Sequence, residues 1–205
     1  MTDKATPGTN DRAAARKQQI LDAAAAVFRA KGYHGASIRD IAQVAGVADG
    51  TIYNYFENKE GLLMAMLEAI SRIEQGSRQL QGRSDTELEQ AIAETARDYF
   101  ARLARHDDLY RAVMPEIIAT PALRQRYYSE FGRSALDVTT EYLAAHAARA
   151  GKSADDAAIT SRILNAVFLG ELVLRIMGDS ELRPDADADE HLAKALARLF
   201  TGAEK

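Results

Sequence analysis

Residues 37–59 read SIRDIAQVAGVADGTIYNYFENK, and this stretch constrains the fold more than any other part of the chain. Ser37 and Asp40 have the spacing of a capping box, in which side chains bond free backbone amides at the start of a helix. Apolar residues then recur at helical spacing until Gly46, which can adopt the left-handed backbone conformation that ends helices. The pattern therefore predicts a short amphipathic helix that begins after Ser37 and ends at Gly46.

A second short helix is expected from about Asp49 to Phe56. Ile52 and Phe56 would lie on its inner side, and Val47 would be buried in the turn between the helices. Two short helices joined by a tight turn that contains glycine form a helix-turn-helix, whose second helix can enter the major groove of DNA. The stretch thus predicts a DNA-reading unit, and the side chains expected to face largely outward are Thr51, Tyr53, Asn54 and Tyr55.

Many residues in the first third of the chain keep a set of fixed spacings. These residues are Ile20, Leu21, Ala23, Ala24, Phe28, Gly32, Ser37, Ile41, Ala42, Ala45, Gly46, Val47, Gly50, Thr51, Tyr53, Phe56, Lys59, Glu60, Leu62 and Leu63. In them the chain closely resembles the N-terminal domain of the TetR family of one-component transcriptional repressors. The resemblance implies a dimer that occupies a palindromic operator, and an effector in the C-terminal domain that changes the spacing of the two heads so that DNA affinity falls.

The resemblance also implies a set of DNA contacts. Thr51 and Tyr55 are expected to reach base edges, whereas Arg39, Tyr53 and Lys59 are expected to hold phosphates. Lys59 lies in the first turn of a helix, where a cation opposes the helix dipole, and a phosphate partner would resolve that conflict. The residues expected to contact DNA are Arg39, Asp49, Gly50, Thr51, Tyr53, Asn54, Tyr55 and Lys59.

Two positions depart from the usual pattern of the family. Ala48 stands where a serine commonly caps the recognition helix, and Asp49 stands where a base or phosphate donor is frequent. Loss of a hydroxyl cap costs about 1 kcal/mol. One interpretation is that Asp49 offsets the lost cap, either as the cap itself or by a favourable interaction of its carboxylate with the helix dipole. The other is that Asp49 accepts a hydrogen bond from cytosine N4.

Composition excludes several other classes of protein. The net charge of −4 is not that of a non-specific nucleic-acid coat, and the absence of cysteine excludes disulfides and thiolate metal sites. No Gly-rich phosphate loop, nucleophile elbow or cluster of metal-binding spacing is found, so neither catalysis nor a metal nor a cofactor is expected. No stretch approaches the ~20 apolar residues needed to span a bilayer, so a cytoplasmic protein without a membrane partner is expected.

The remaining pattern predicts an all-α fold of about nine helices in two domains. Residues 1–11 are expected to be a disordered tail, and residues 12–60 a three-helix helix-turn-helix domain with a connecting helix to about residue 78. Residues 84–205 are expected to form a helical bundle that binds the ligand and dimerises. One long helix is expected from Pro121, after the cap Thr120, to Gly151.

The helix from about Ala154 to Met177 is apolar nearly all round, which indicates that it is covered on more than one side. A symmetric dimer is the commonest cover, and a central position in a monomeric bundle is the alternative. Glu171 and Arg175 have the spacing of an intrahelical ion pair, interpreted as lying at the dimer rim, with a ligand-sensing role as the alternative. The expected interface residues are Leu164, Phe168, Leu172, Arg175, Leu196, Leu199 and Phe200.

Aromatic and methionine residues are concentrated in the middle helices. Each of them taken singly is ordinary core, but the enrichment in tyrosine favours a pocket wall for a small, largely apolar effector. The alternative function is a helical protein-interaction module with a vestigial helix-turn-helix, which would show no salt-dependent DNA affinity. The expected pocket residues are Tyr99, Leu103, Tyr110, Met114, Ile117, Tyr127, Phe131 and Phe168.

Overall fold

The protein is described by a computed structural model that covers residues 9–71, 87–149, 151, 153–178 and 186–201. These residues are helical with no strand among them, which confirms the predicted all-α class. If α7, a π-helical segment and α8 are counted as one continuous helix, the described ranges contain nine helices. The elements are α1 (Thr9–Gly35), α2 (Ile38–Ala45), α3 (Asp49–Tyr53), α4 (Lys59–Ser71), α5 (Leu88–Arg105), α6 (Asp107–Ala119), α7 (Pro121–Tyr127), the π-helical segment (Tyr128–Gly132), α8 (Arg133–Arg149), α9 (Ala157–Met177) and α10 (Ala186–Thr201).

The first helix is longer than expected and contains a kink. It begins at Thr9 rather than Arg12, so residues 9–11 of the expected tail are helical, while residues 1–8 lie outside the described part of the chain. At Gly32 the backbone turns to φ 68° and ψ 174°, a left-handed value of φ that glycine adopts without steric cost. The connecting helix α4 is described as far as Ser71, and its expected continuation to residue 78 lies outside the described residues.

The N-terminal helices α1–α4 form a compact unit, here called the head. Its centre consists of side chains that are fully removed from solvent, including Ile20, Phe28, Ile41, Ile52 and Leu62. This cluster continues without interruption into α6, because α1 packs along α6. The head is therefore held by a shared core and not only by the chain connection at its end.

The helices α5–α10 form the second unit, here called the body. Helix α5 packs mainly on α10, and α8 packs mainly on α9. A second apolar cluster lies between α5, α9 and α10, with Phe100, Leu164 and Leu196 in its interior. The body thus places α9 between its own core and the outer surface.

The long helix predicted after Thr120 contains a wide turn that the sequence pattern did not indicate. Residues Tyr128–Gly132 form the π-helical segment, and Phe131 within it is buried. A Cβ atom at Gly132 would lie 2.8 Å from Cδ2 of the Tyr128 ring, so the glycine makes room for that ring. The extra residue in this turn changes the direction in which the side chains of α8 point, relative to those of α7.

Candidate DNA-binding interface and effector site

The start of α2 is held by the predicted capping box. The Asp40 amide donates to Ser37 Oγ at 3.1 Å, and Asp40 Oδ2 accepts from the Ser37 amide at 3.0 Å. Lys31 Nζ donates to the other carboxylate oxygen at 2.7 Å. These hydrogen bonds, that from Lys31 first, lower the pKa of Asp40 to about 2. At the other end Gly46 takes φ 63°, so both predicted ends of α2 are confirmed.

Helix α3 is shorter than expected and ends at Tyr53 rather than Phe56. Ile52 and Phe56 are buried as predicted, whereas Val47 is only half-buried. Ala48 occupies the cap position without a side-chain hydrogen bond, and Asp49 lies in the first turn. The interruption after Tyr53 is a turn closed by the amides of residues 54–56 on carbonyls of residues 51 and 52.

The residues predicted to contact DNA all belong to the head and differ in their exposure. The side chain of Tyr53 is 56% exposed, and this large apolar ring has no cover in the described residues. Exposed positions are Arg39, Asp49, Gly50, Tyr53 and Asn54, and half-buried positions are Thr51, Tyr55 and Lys59. A short helix and the turn after it, with aromatic and amide groups outward, have the shape and chemistry needed for the major groove.

Lys59 has partners within the protein. Its ammonium donates to the carbonyl oxygens of Tyr33 at 2.9 Å and Ala36 at 3.0 Å, and it lies 4.3 Å from the centre of the Tyr33 ring. These two carbonyl oxygens stabilise the ammonium at the start of α4, where the helix dipole disfavours a cation. From the sequence, a DNA phosphate had been expected to provide this stabilisation. Lys59 therefore joins the beginning of α4 to the connection between α1 and α2.

The head and the body are joined by a contact between His34 and Glu116 that the sequence did not indicate. His34 Nε2 lies 2.8 Å from Glu116 Oε2, and the other carboxylate oxygen accepts a hydrogen bond from the Thr120 hydroxyl. That hydrogen bond is the largest cause that lowers the pKa of Glu116. Because His34 follows the kink of α1 and Glu116 belongs to α6, the pair connects the two units next to Lys59.

The predicted effector residues lie close together in the body. Leu103, Tyr110, Met114, Ile117 and Phe131 are buried, while Tyr99, Tyr127 and Phe168 are half-buried. The Tyr99 hydroxyl donates to the Phe168 carbonyl at 2.8 Å, and the two ring centres lie 4.8 Å apart. Burial raises the pKa of Tyr127 to about 12 and raises the pKa values of Tyr99 and Tyr110 as well.

A cavity between described residues lies elsewhere. It has a volume of about 400 Å³ and lies between the head and the body. None of the eight predicted effector residues lines it. Its lining residues are Gln18, Leu21, Asp22, Ala25, Met66, Ala69, Ile70, Arg102, Arg105 and His106.

Most of the predicted dimer residues face the interior of the protomer. Leu164 and Leu196 are buried in the cluster between α5, α9 and α10, and Phe168 packs against that cluster half-buried. Leu172 is buried in the larger cluster that includes the head. Arg175 Nε lies 2.7 Å from Glu171 Oε1, and the two side chains are only 4% and 6% exposed. This pair is therefore inside the protomer and not at a rim. Leu199 is 81% exposed, and the Phe200 side chain lies outside the described set.

The opposite side of α9 carries an apolar face that the sequence reasoning missed. The residues of this face recur at helical spacing and are all exposed to solvent. The signal that could have found it is the recurrence of large apolar residues at positions 159, 163, 167, 174 and 177, which are spacings of four, four, seven and three residues. We call it the outer face of α9, and its members are Ile159, Ile163, Val167, Leu174 and Met177.

Helix α9 is more apolar than was expected from the sequence, in which no stretch was thought suited to span a bilayer. Its 21 residues have a mean hydropathy of 1.5 in the most apolar window, which is long and apolar enough to cross a bilayer by length and composition alone. In the fold, however, α9 packs against α8, α6 and α5 and contains the buried Glu171 and Arg175 pair.

Comparisons with known proteins agree with the geometry. Residues 20–66 match the model of bacterial regulatory proteins of the tetR family, and residues 90–203 match the C-terminal domain of AefR-like transcriptional repressors. The transcriptional repressor AcnR from Corynebacterium diphtheriae is 30% identical over 153 residues, which are 74% of this chain and 75% of that protein.

Two further similarities cover different shares of the chain. The fatty acid metabolism regulator protein of Bacillus subtilis is 52% identical over 50 residues, which are 24% of this chain and 26% of that protein. The solved structure of FadR from Bacillus subtilis in complex with stearoyl-CoA has a TM-score of 0.69 at 23% identity and covers 91% of this chain and 99% of that one. Because the second family match alone spans more than half of the 205 residues, this protein belongs to the TetR family of bacterial regulatory proteins.

Proposed function

We propose that this protein is a ligand-responsive transcriptional regulator, in particular a repressor that binds a palindromic operator as a dimer and is released by a small, largely apolar effector. The observation that carries the proposal is the outward set of polar and aromatic side chains on α3, held by the capped α2 and the Lys59 bonds. The protein would act in the bacterial cytoplasm, where its DNA is.

Recognition of the DNA sequence is assigned to the exposed residues of the head. Thr51 and Tyr55 would contact base edges, and Arg39 and Tyr53 would hold phosphates. Asp49 would accept a hydrogen bond from cytosine N4, since its carboxylate lies at the exposed start of α3. Lys59 has three ammonium hydrogens and two carbonyl partners, so one hydrogen remains for a phosphate.

Dimerisation is assigned to the outer face of α9 together with Leu199 of α10. Six large apolar side chains, each at least 37% exposed, would be covered when two copies of α9 pack around a twofold axis. Two heads held in this way read two half-sites about 34–36 Å apart, which one short helix cannot do alone. The effector is assigned to the aromatic cluster, because its tyrosine hydroxyls lie among apolar side chains, a composition usual for sites of largely apolar ligands.

Selection of bound duplexes from a random DNA pool tests the proposal. We expect enrichment of an inverted repeat, with affinity that falls steeply as salt rises. Tyr53→Ala should weaken binding to all sequences, whereas Asp49→Ala should change which bases are preferred. Gln125→Ala, at an exposed position of α7, is the matched control.

Three results would contradict parts of the proposal. Absence of enrichment and of salt-dependent affinity at low salt would favour the interaction module with a vestigial helix-turn-helix. Equal effects of Asp49→Ala on all sequences would exclude its reading role. Ile163→Asp should convert the dimer to a monomer in sedimentation and abolish preference for the inverted repeat, and a dimer that survives it would place the interface elsewhere.

A further inference from the structure

The cavity between the head and the body has two kinds of wall. Helices α1 and α4 of the head supply an apolar wall that includes Leu21, Met66 and Ile70. The last turn of α5 supplies Arg102 and Arg105. At about 400 Å³ the cavity falls in the range of about 300–1,000 Å³ that is usual for small-molecule sites. An apolar wall opposite a basic one is the arrangement expected for a ligand with an apolar body and an acidic end.

The charges around this cavity favour an anion. The carboxylate of Asp22 already accepts a hydrogen bond from Gln18 at 2.8 Å. Arg102 is half-buried, with the like charge of Arg105 three residues away. Burial lowers the pKa of Arg102, and Asp98, one turn earlier on α5, is the acid that counteracts this most.

Within the described residues, Asp98 is the acid whose charge acts most on Arg102. No hydrogen bond or ion pair engages Arg102 or Arg105 within that part of the chain. A desolvated guanidinium gains most from a partner that brings a full negative charge and two acceptor oxygens. A carboxylate in the cavity would supply both.

We propose that this interdomain cavity binds a small amphiphilic organic anion, whose carboxylate contacts Arg102 and Arg105 and whose apolar part lies against Leu21, Met66 and Ile70. The site is separate from the aromatic cluster assigned to the effector.

The cavity contacts both the head and the body, so a ligand bound in it affects how the two units are arranged. A ligand that touches α1, α4 and α5 at once is bound best by one arrangement of the head relative to the body. If the protein regulates transcription as proposed above, such a ligand changes the affinity for DNA by favouring that arrangement. Binding itself does not depend on that function.

Calorimetry on the full chain without DNA tests the proposal. The probe is 4-phenylbutyrate, and 4-phenylbutanamide is its neutral counterpart of similar shape. We expect the carboxylate to bind at least tenfold more tightly than the amide. The double variant Arg102→Gln, Arg105→Gln should abolish this difference. Arg111→Gln, which removes one exposed charge from α6, should leave it intact.

A second pair of variants locates the site. Ala25→Trp places a bulky ring in the cavity and should abolish binding of both probes, and Ala69→Leu is the smaller filling variant if the first fails to fold. Phe168→Ala changes the aromatic cluster and should leave binding unchanged. Loss of binding in Phe168→Ala with retention in a filled variant would place the probe in the cluster and overturn the proposal.

Equal affinity for the two probes would overturn it as well. Because the calorimetry contains no DNA, its outcome is independent of operator selection. If the protein binds the carboxylate but enriches no DNA sequence, the proposed anion site stands and the proposed function as a DNA-binding regulator is contradicted.

Discussion

The buried ion pair of α9 allows a quantitative prediction, because the chain contains an exposed pair of the same geometry. Arg175 and Glu171 are 4% and 6% exposed, whereas Arg111 and Asp107 on α6 are 39% and 31% exposed. Both pairs join an arginine Nε to an acid four residues earlier at 2.7 Å. Burial is therefore the main difference between them.

We expect Arg175→Met to lower the free energy of unfolding by about 3–5 kcal/mol, because it leaves the carboxylate of Glu171 buried without its partner. Arg111→Met should cost no more than about 1 kcal/mol, since water solvates the freed Asp107. The double variant Glu171→Met, Arg175→Met should recover most of the loss, because two apolar side chains of similar length can fill the same space.

Urea unfolding followed by circular dichroism measures these differences. With a slope of about 2 kcal/mol per molar urea, the loss in Arg175→Met corresponds to a midpoint lower by about 1.5–2.5 M. All variants should be compared at one protein concentration, because the stability of a dimer depends on it. Similar losses in Arg175→Met and Arg111→Met, or a double variant no more stable than the single one, would refute the reasoning.

Four further predictions concern single groups. Ser37→Ala should lower the stability of the head by about 1 kcal/mol in the same urea assay, because it removes the cap of α2. Asp40, with a pKa lowered to about 2 from 3.8, stabilises the folded state above pH 4; thermal scans should show that this contribution disappears as the pH falls towards 2 and is missing from Asp40→Asn. Tyr127 has a pKa raised from 10 to about 12, so its contribution to the stability of the folded state should be lost as the pH rises from 10 to 12. Tyr127→Phe has no hydroxyl to ionise and should unfold less readily than the unchanged protein over that range. Lys59→Met should cost about 1–3 kcal/mol in the absence of DNA, because it leaves two carbonyls without a donor; an unchanged stability would limit Lys59 to contacts with DNA.

Local signals predicted the head well. The capping box of Ser37 and Asp40 and the left-handed Gly46 involve contacts within a few residues, and the structure reproduces both. The burial of Ile52 and Phe56 followed from helical spacing, although α3 itself ends earlier than expected. In such short segments, residues that contact one another are also close in sequence, so the spacing of residue types predicts the contacts.

The faces of α9 could not be assigned in this way. A helix that is apolar nearly all round has no clear phase, so spacing alone does not say which side meets the core. Glu171 and Arg175 were taken as markers of the surface because charged residues are rarely buried, yet here they neutralise each other inside.

Contacts between distant parts of the chain were equally invisible to the sequence. His34 and Glu116, as well as the walls of the interdomain cavity, come from helices far apart in the chain. The aromatic cluster was predicted as a set because six of its eight members lie in the consecutive helices α5, α6 and α7. Its role as an effector site stays a prediction.

The buried pair of α9 has a consequence for the synthesis of the protein. A newly made segment with the length and hydropathy of α9 is a substrate for membrane insertion. Each charged residue near the middle of such a segment raises the free energy of insertion by about 2.5–3.5 kcal/mol. Arg162, Glu171 and Arg175 leave no uncharged run in α9 longer than the eight residues 163–170. Glu171 and Arg175, which pair inside the folded body, therefore also make insertion of the unfolded segment into a membrane less favourable.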